Sequence, residues 1–310
     1  MKTREDVISM DIECITIVCP ICGLANENVQ IRNVNRRYTI VKCRTCQLVY
    51  TNPMPLQIPD DVRQVYDGWD YHAAFLSDLG WTLKIGLSEF KRQQDFLAKR
   101  NLVPAAGRFL DIGCGVGHIV AAAKKSGWSS YGLEIDKKSY ELTKKTWDLD
   151  IRPCFLNDAG FPKEYFHWIR ARYVFEHLSR PKDLLRDIWN ALVPGGIVLI
   201  DVPNQSGFAA QRRIRKGISQ GMGQVYGYLD PPIHVVGYSP ETMRRLLEKE
   251  GFTVPFSMST FPGSSMFRPE CGPSGWLRAP YIFAHYILSK IGRGSISVTC
   301  GQKPPVGASK

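Results

Sequence analysis

Residues 108–120, RFLDIGCGVGHIV, run from an apolar stretch through three alternating glycines into a segment with helical character. A buried strand that turns at once into a helix, with a turn stripped of side chains, is how an α/β sheet brings its backbone against a ligand. The rest of the chain supplies the sheet that such a turn needs. SSYGLEID reads as a second strand and KKSYELTKKTW as its helix, while HWIRARYVF stands at a further strand position despite its polar members. RPKDLLRDIWNALVPGG sets Leu184, Leu185, Ile188 and Leu192 on one side of a helix ended by Pro194, and IVLIDVP follows as a buried strand. GYSPETMRRLLEKEGF is a helix with Ser239 as cap, Pro240 at its first position and Gly251 at its end; SISVTCGQK is a late strand. Strands alternating with helices predict an α/β, Rossmann-like domain.

The glycines also discriminate between ligands. A dinucleotide fingerprint needs G-x-G-x-x-G, and the third position of that spacing is His118. The pattern is instead Asp111-x-Gly113-x-Gly115-x-Gly117, which suits a ligand without a pyrophosphate. Asp111 at the strand tip can accept from an ammonium group, and Glu134, twenty-three residues on at the end of the second strand, can bind both hydroxyls of a ribose. An amino acid at one end and a ribose at the other describe S-adenosylmethionine. Gly113, Cys114, Gly115 and Gly117, with Asp111, Glu134 and Ile135, are the expected cofactor residues; Asp158 is expected on the adenine amine, and Arg172 on cofactor or substrate.

Cys19-Pro-Ile-Cys22 and Cys43-Arg-Thr-Cys46 form two CxxC pairs twenty residues apart, the spacing of a four-thiolate structural zinc site. So short a segment buries little apolar surface, so metal binding must supply much of its folding energy. The expected organisation is a zinc ribbon over 1–60, a helical linker or lid over 61–104 and the α/β domain over 105–310, with insertions at 205–233 and 262–292. In the linker, Leu87, Phe90, Gln94 and Leu97 give a periodic helical face.

No stretch reaches the roughly 18 apolar residues of a spanning helix, and the amino terminus carries acids where a secretory signal has its apolar core. A cytoplasmic protein is the expectation, as monomer or homodimer. The net charge of +11 makes an anionic acceptor worth considering without identifying nucleic acid. AQRRIRKG (210–217) can clamp phosphates or be a solvated helix face; APYIFAHYILSKIG (279–292) is read as a lid, with a dimer interface or a peripheral membrane anchor as the other uses.

FLDIGCGVG, GLEID, YVFEHLSRP, LVPGGIVLIDVPN and HVVGYSPETMRRLLEKEGF together resemble, in order, the motifs of class I S-adenosylmethionine-dependent methyltransferases. Within them the chain is similar to the branch of ubiquinone-biosynthesis O-methyltransferases and biosynthetic-cluster enzymes, some of which carry a four-cysteine ribbon ending in words like CQLVYTNP. The resemblance implies a seven-stranded sheet in the order 3-2-1-4-5-7-6 with its last strand antiparallel. It also implies methyl transfer to a small-molecule oxygen, carbon or nitrogen, the acceptor being a sugar, aromatic or lipid-linked compound. Tyr173, Glu176 and His177 follow strand four, and Glu176-His177 matches a characteristic pair near the active site; His177 and His234 are base candidates. Tyr173 stands where quinone methyltransferases that bind a divalent metal have a further glutamate, which argues against that metal. Two alternatives are kept: RNA methylation, opposed by DVPNQSG after strand five, and a non-catalytic cofactor-binding scaffold. Where the family starts strand four with Phe-Asp, this chain has Phe166-His167, so the strand is either rebuilt locally or diverged.

Overall fold

The computed structural model of the 310-residue chain describes residues 12–24, 28–34, 37–56, 75, 77–216, 226–260, 283, 286–305 and 307. The amino-terminal part contains β1 (Cys14–Ile15), β2 (Asn28–Val34), β3 (Tyr38–Cys43), β4 (Val49–Thr51) and β5 (Met54–Pro55). A long helix, α1 (Leu79–Ala98), precedes the main domain and is capped by the Asp78 carboxylate, which accepts from Trp81 N at 2.9 Å.

The main domain then runs β6 (Arg108–Ile112), α2 (His118–Lys125), β7 (Ser129–Leu133), α3 (Lys137–Thr146), β8 (Asp150–Arg152), β9 (Phe166–Arg172), α4 (Pro181–Ala191), β10 (Leu192–Pro203), α5 (Phe208–Lys216), β11 (Val236–Gly237), α6 (Pro240–Lys249), β12 (Thr253–Thr260) and β13 (Ile296–Gln302). Seven of these strands form one sheet, ordered β12-β13-β10-β9-β6-β7-β8. Only β13 runs against its neighbours, while β6 to β10 pair in parallel. Counted from β6, this is the expected 3-2-1-4-5-7-6 order.

HWIRARYVF does form its strand, and the polar residues have structural causes. Arg108 N donates to His167 Nδ1 at 3.1 Å, so the imidazole accepts at the strand edge as a carboxylate would. Trp168 stacks on Phe90 of α1 at 5.1 Å and meets Phe109 edge-on at 4.9 Å, building the aromatic core between α1 and the sheet. Alternation along β9 then puts Arg170 and Arg172 on the same side as Trp168, toward α1. The α1 face is shifted by a residue from the expected one: Ile85, Glu89, Phe90, Gln93 and Leu97 are buried, whereas Leu87 and Gln94 are half-exposed. α4 ends at Ala191, three residues before Pro194, and Leu192 already pairs with Phe166 as the first residue of β10. The residue before a proline avoids the helical region, so the helix stops early.

Within the ribbon, β1 and β5 pair with each other in a two-stranded antiparallel sheet, but its other three strands do not stand alone. β2, β3 and β4 continue into β11, with Val236 opposite Tyr50 and Gly237 opposite Val49. Ile21, Leu48 and Tyr50 share a buried cluster with Tyr238, Met243 and Leu246 of the main domain. Residues 57–74, 217–225 and most of 262–292 lie outside the described residues; of 279–292, read as a lid, residues 283 and 286–292 are described, and Phe283, Tyr286, Ile287 and Ile291 are exposed. No described helix is long and apolar enough to cross a membrane.

Candidate functional site

A cleft of about 750 Å³ opens at the carboxyl ends of β6, β7 and β9, within the range of small-molecule sites. Its floor is the glycine turn. Gly113, Gly115 and Gly117 all have left-handed backbone, at φ 69, 54 and 72°. A Cβ on Gly113 would come within 2.8 Å of Val174, so both the conformation and the close approach require glycine there. Gly113 N and Cys114 N donate to Leu133 O at 2.8 and 3.0 Å, tying the turn to the end of β7. Just beyond, Glu134 accepts from Gly115 N through Oε2 and from Asp136 N through Oε1, each at 2.8 Å. A buried carboxylate is thereby aimed across the turn with its rotamer fixed.

Asp111 is placed differently from expectation. It stands opposite Arg170 in the parallel β6–β9 register, and the Arg170 guanidinium donates to Asp111 Oδ1 at 2.8 Å and Oδ2 at 3.0 Å. Arg170 also donates to Glu89 Oε1 of α1 at 3.0 Å, and Arg172 reaches the same oxygen at 2.5 Å. Burial pushes the Asp111 carboxyl up, and the charge and hydrogen bonds of Arg170 oppose it. The acid read as a partner for an ammonium thus already has a cation. Both Asp111 and Arg172 still line the cleft. Behind them the carboxylate of Asp201 is buried without a hydrogen-bond partner among the described residues; burial raises its pKa to about 6, with Arg172 and Arg170 pulling down.

The opposite wall carries Tyr173, Val174 and His177, with Pro232 and Ile233 from the loop before β11. Tyr173 leaves β9 in the left-handed region at φ 55°, its ring 5.0 Å from the Arg172 guanidinium. A short helical turn, Phe175–His177, then presents His177, whose Nδ1 lies 3.1 Å from Ile233 O. Glu176 and His234 stand behind the lining rather than in it. The His177 and His234 rings are 4.7 Å apart, burial lowers the His234 pKa to about 4, and burial raises that of Glu176 to about 8.

Of the expected cofactor residues, Asp111, Gly113, Cys114, Gly115, Glu134, Ile135 and Arg172 line the cleft. Gly117 caps α2 instead; a Cβ there would meet Thr143 at 2.5 Å. Asp158 is exposed and accepts from Asn157 Nδ2 at 3.0 Å, while Asn157 itself lines the cleft. Glu89, Arg170, Asn157 and Asp201 are the site residues that sequence reasoning missed. For Glu89 a signal existed: an acid flanked by Ile85 and Gln93 on a buried helix face needs a cationic partner. The three arginines of 210–217 lie on α5, and none lines the cleft.

The four cysteines do converge. Cys19 Sγ and Cys46 Sγ are 3.5 Å apart, Cys22 Sγ and Cys43 Sγ 4.0 Å, and all four atoms lie within 4.8 Å. Tetrahedral zinc with Zn–S of about 2.3 Å sets its sulfurs about 3.8 Å apart, so the set fits that ion. The two knuckles repeat one geometry: Gly23 N donates to Cys19 O and Gln47 N to Cys43 O at 2.8 and 2.9 Å, and Gly23 and Gln47 have φ 73 and 66°.

A family described as a methyltransferase domain matches residues 88–255, more than half of the chain. A probable S-adenosylmethionine-dependent methyltransferase of Mycolicibacterium smegmatis is 23% identical over 177 residues, 56% of this chain and 63% of that protein. The chain therefore spans less than two thirds of the length of that relative. Among solved structures, a Thermotoga maritima methyltransferase described as a possible histamine N-methyltransferase is 17% identical, with a TM-score of 0.49 over 79% of this chain and 97% of that one. An S-adenosylmethionine-dependent methyltransferase from Mesorhizobium loti is 17% identical, with a TM-score of 0.45 over 67% and 97%. With the strand order and the extent of the family match together, the chain belongs to the methyltransferase domain family.

Proposed function

We propose that the chain binds S-adenosylmethionine in the cleft and transfers its methyl group to a small-molecule acceptor, most simply an oxygen of a biosynthetic intermediate. The observation that carries this reading is the convergence of the glycine turn, the fixed Glu134 carboxylate and His177 on one cleft. The donor set fits the cofactor: Glu134 for the ribose hydroxyls, Asn157 beside Leu156 for the adenine, and Asp111 with Arg172 for the methionine end. Bound there, the sulfonium supplies the methyl group, and the protein's task is alignment of the acceptor. Where the acceptor oxygen must lose its proton, the groups on hand are His177 and, behind it, His234, with Tyr173 and Glu176 next to them. The zinc ribbon is read as structural. Asn204 in the loop after β10 donates to Gly294 O at 2.7 Å and accepts from Ser206, holding the chain's own backbone instead of a nucleobase.

Calorimetry with S-adenosylhomocysteine tests the reading. One equivalent should bind, and Glu134→Ala should weaken it by about tenfold or more, from the loss of hydrogen bonds to a charged group. His177→Ala should leave that affinity nearly unchanged and slow turnover once an acceptor is known. Absence of binding, or tighter binding of a pyrophosphate dinucleotide, would reject the assignment.

A further inference from the structure

Behind the acceptor wall, Glu176, His177 and His234 bring one carboxylate oxygen and one nitrogen from each ring to within 4.8 Å of one another. Three features mark this group as more than a chance cluster. Glu176 is 3% exposed, yet neither of its carboxylate oxygens has a hydrogen-bond partner among the described residues. A carboxylate so buried and unpaired is costly unless something completes it. Both imidazoles face backbone carbonyls through Nδ1, His177 toward Ile233 O and His234 toward Tyr228 O, each at 3.1 Å. A carbonyl only accepts, so Nδ1 carries the proton in each neutral ring and Nε2 carries the lone pair. This is the orientation that metal-bound histidines take from their outer partners. The ligands are also held from two sides. Val235 N donates to Glu176 O at 2.8 Å, and His234 exchanges backbone hydrogen bonds with Asp230 at 3.0 and 3.1 Å.

We propose that Glu176, His177 and His234 form a divalent transition-metal site, separate from the ribbon, with two histidines and one carboxylate on one face. The third ligand, His234, comes from the loop that leads into β11 and is not the glutamate whose place Tyr173 takes. Ligand bonds of about 2.1 Å in a tetrahedral set put the donors about 3.4 Å apart, so closing the cluster takes side-chain shifts of about an ångström. Nitrogen and carboxylate ligands suit zinc, cobalt, iron or manganese over calcium or magnesium. Three protein ligands leave positions open for water or an acceptor oxygen, and His177 lines the cleft where that oxygen would enter. The site deepens the methyltransferase reading, on which it rests only for the acceptor: a bound hydroxyl is made more acidic by the cation.

The test is a cobalt(II) titration of the full-length protein carrying a single equivalent of zinc, enough for the four-thiolate ribbon alone, followed by calorimetry and absorption. One equivalent should bind with weak visible bands and without the intense near-ultraviolet absorption of cobalt thiolate, which separates this site from the ribbon. His234→Ala and the near-isosteric Glu176→Gln should each weaken binding about tenfold or more, with S-adenosylhomocysteine affinity retained as proof of folding. No cobalt uptake by the wild type, or uptake undiminished in Glu176→Gln, overturns the site. Cobalt binding without S-adenosylhomocysteine binding would overturn the methyltransferase reading and leave the metal site standing.

Discussion

Arg170→Met should destabilise the protein by about 3–5 kcal/mol, the cost of breaking a buried ion pair from one side. Arg170 is the centre of the network: its side chain is 5% exposed, those of Asp111 and Glu89 1% each, and it makes three hydrogen bonds of 2.8–3.0 Å to their carboxylates. Methionine keeps the volume and the contact with the aromatic core but removes all three bonds. Glu89 then retains Arg172, whereas Asp111 loses its described partner. Against a typical total of about 5–15 kcal/mol the loss is large but survivable. Urea unfolding followed by tryptophan fluorescence reads it directly. Asp111→Asn combined with Arg170→Met removes the uncompensated charge and should recover at least about 2 kcal/mol of it, which also gives a readout should the single variant not fold. Arg170→Lys should fall between, since an ammonium cannot fork across both carboxylates. A single variant within about 1 kcal/mol of wild type, or a double variant no better than the single, would refute the network as a determinant of the fold and return Arg170 to a bystander.

Removal of zinc with a strong chelator, or Cys43→Ser, should lower the unfolding midpoint of the main domain, read by exposure of its tryptophans since residues 1–60 carry none, because ribbon and main domain share a sheet through β11 and a buried cluster. A ribbon that melts alone, with the main transition unmoved, would contradict that coupling. Asp201→Asn should stabilise the protein in a pH-dependent way. Its folded pKa of about 6 lies above the ordinary value of 3.8, so the native state holds the proton more tightly; the contribution of this one group to stability is fullest below pH 4 and falls as pH rises through 6. The gain of the variant should therefore be about 1 kcal/mol at pH 4.5 and approach about 3 kcal/mol at pH 7.5, and an equal gain at both would count against the raised pKa.

What could be read from the sequence is local. The glycine turn and the ribbon knuckles are each decided within a dozen residues, by left-handed backbone at Gly113, Gly115 and Gly117 and by two CxxC turns. The strand order came from a resemblance carried by motifs in series, and the sheet has that order. What could not be read depends on which elements lie side by side. The pairing of Asp111 with Arg170, fifty-nine residues away, is placed by β6–β9 register and leaves no local signal. The arginines of β9 looked like a departure because their reason, Glu89, sits on a helix outside the motifs. Asp158 is read from the sequence as the acceptor for the adenine amine, whereas a one-residue difference in a short helical turn brings Asn157 to the cleft lining.

The same neighbour dependence explains why a ribbon belongs on this domain at all. β11 is two residues long and has no sequence signature, yet it pairs with β4 on one side of the loop that carries Ile233 and His234. Ile233 O receives His177, and Val235 N holds the Phe175–His177 turn through Glu176 O. Thr51 N in turn donates to Val235 O at 2.9 Å, so one residue joins the ribbon strand to the Phe175–His177 turn. A strand pair this short has little stability of its own. Its order comes from the four-cysteine cluster and the Tyr238 and Met243 cluster, so a metal held by the thiolates would also support the cleft wall that carries His177.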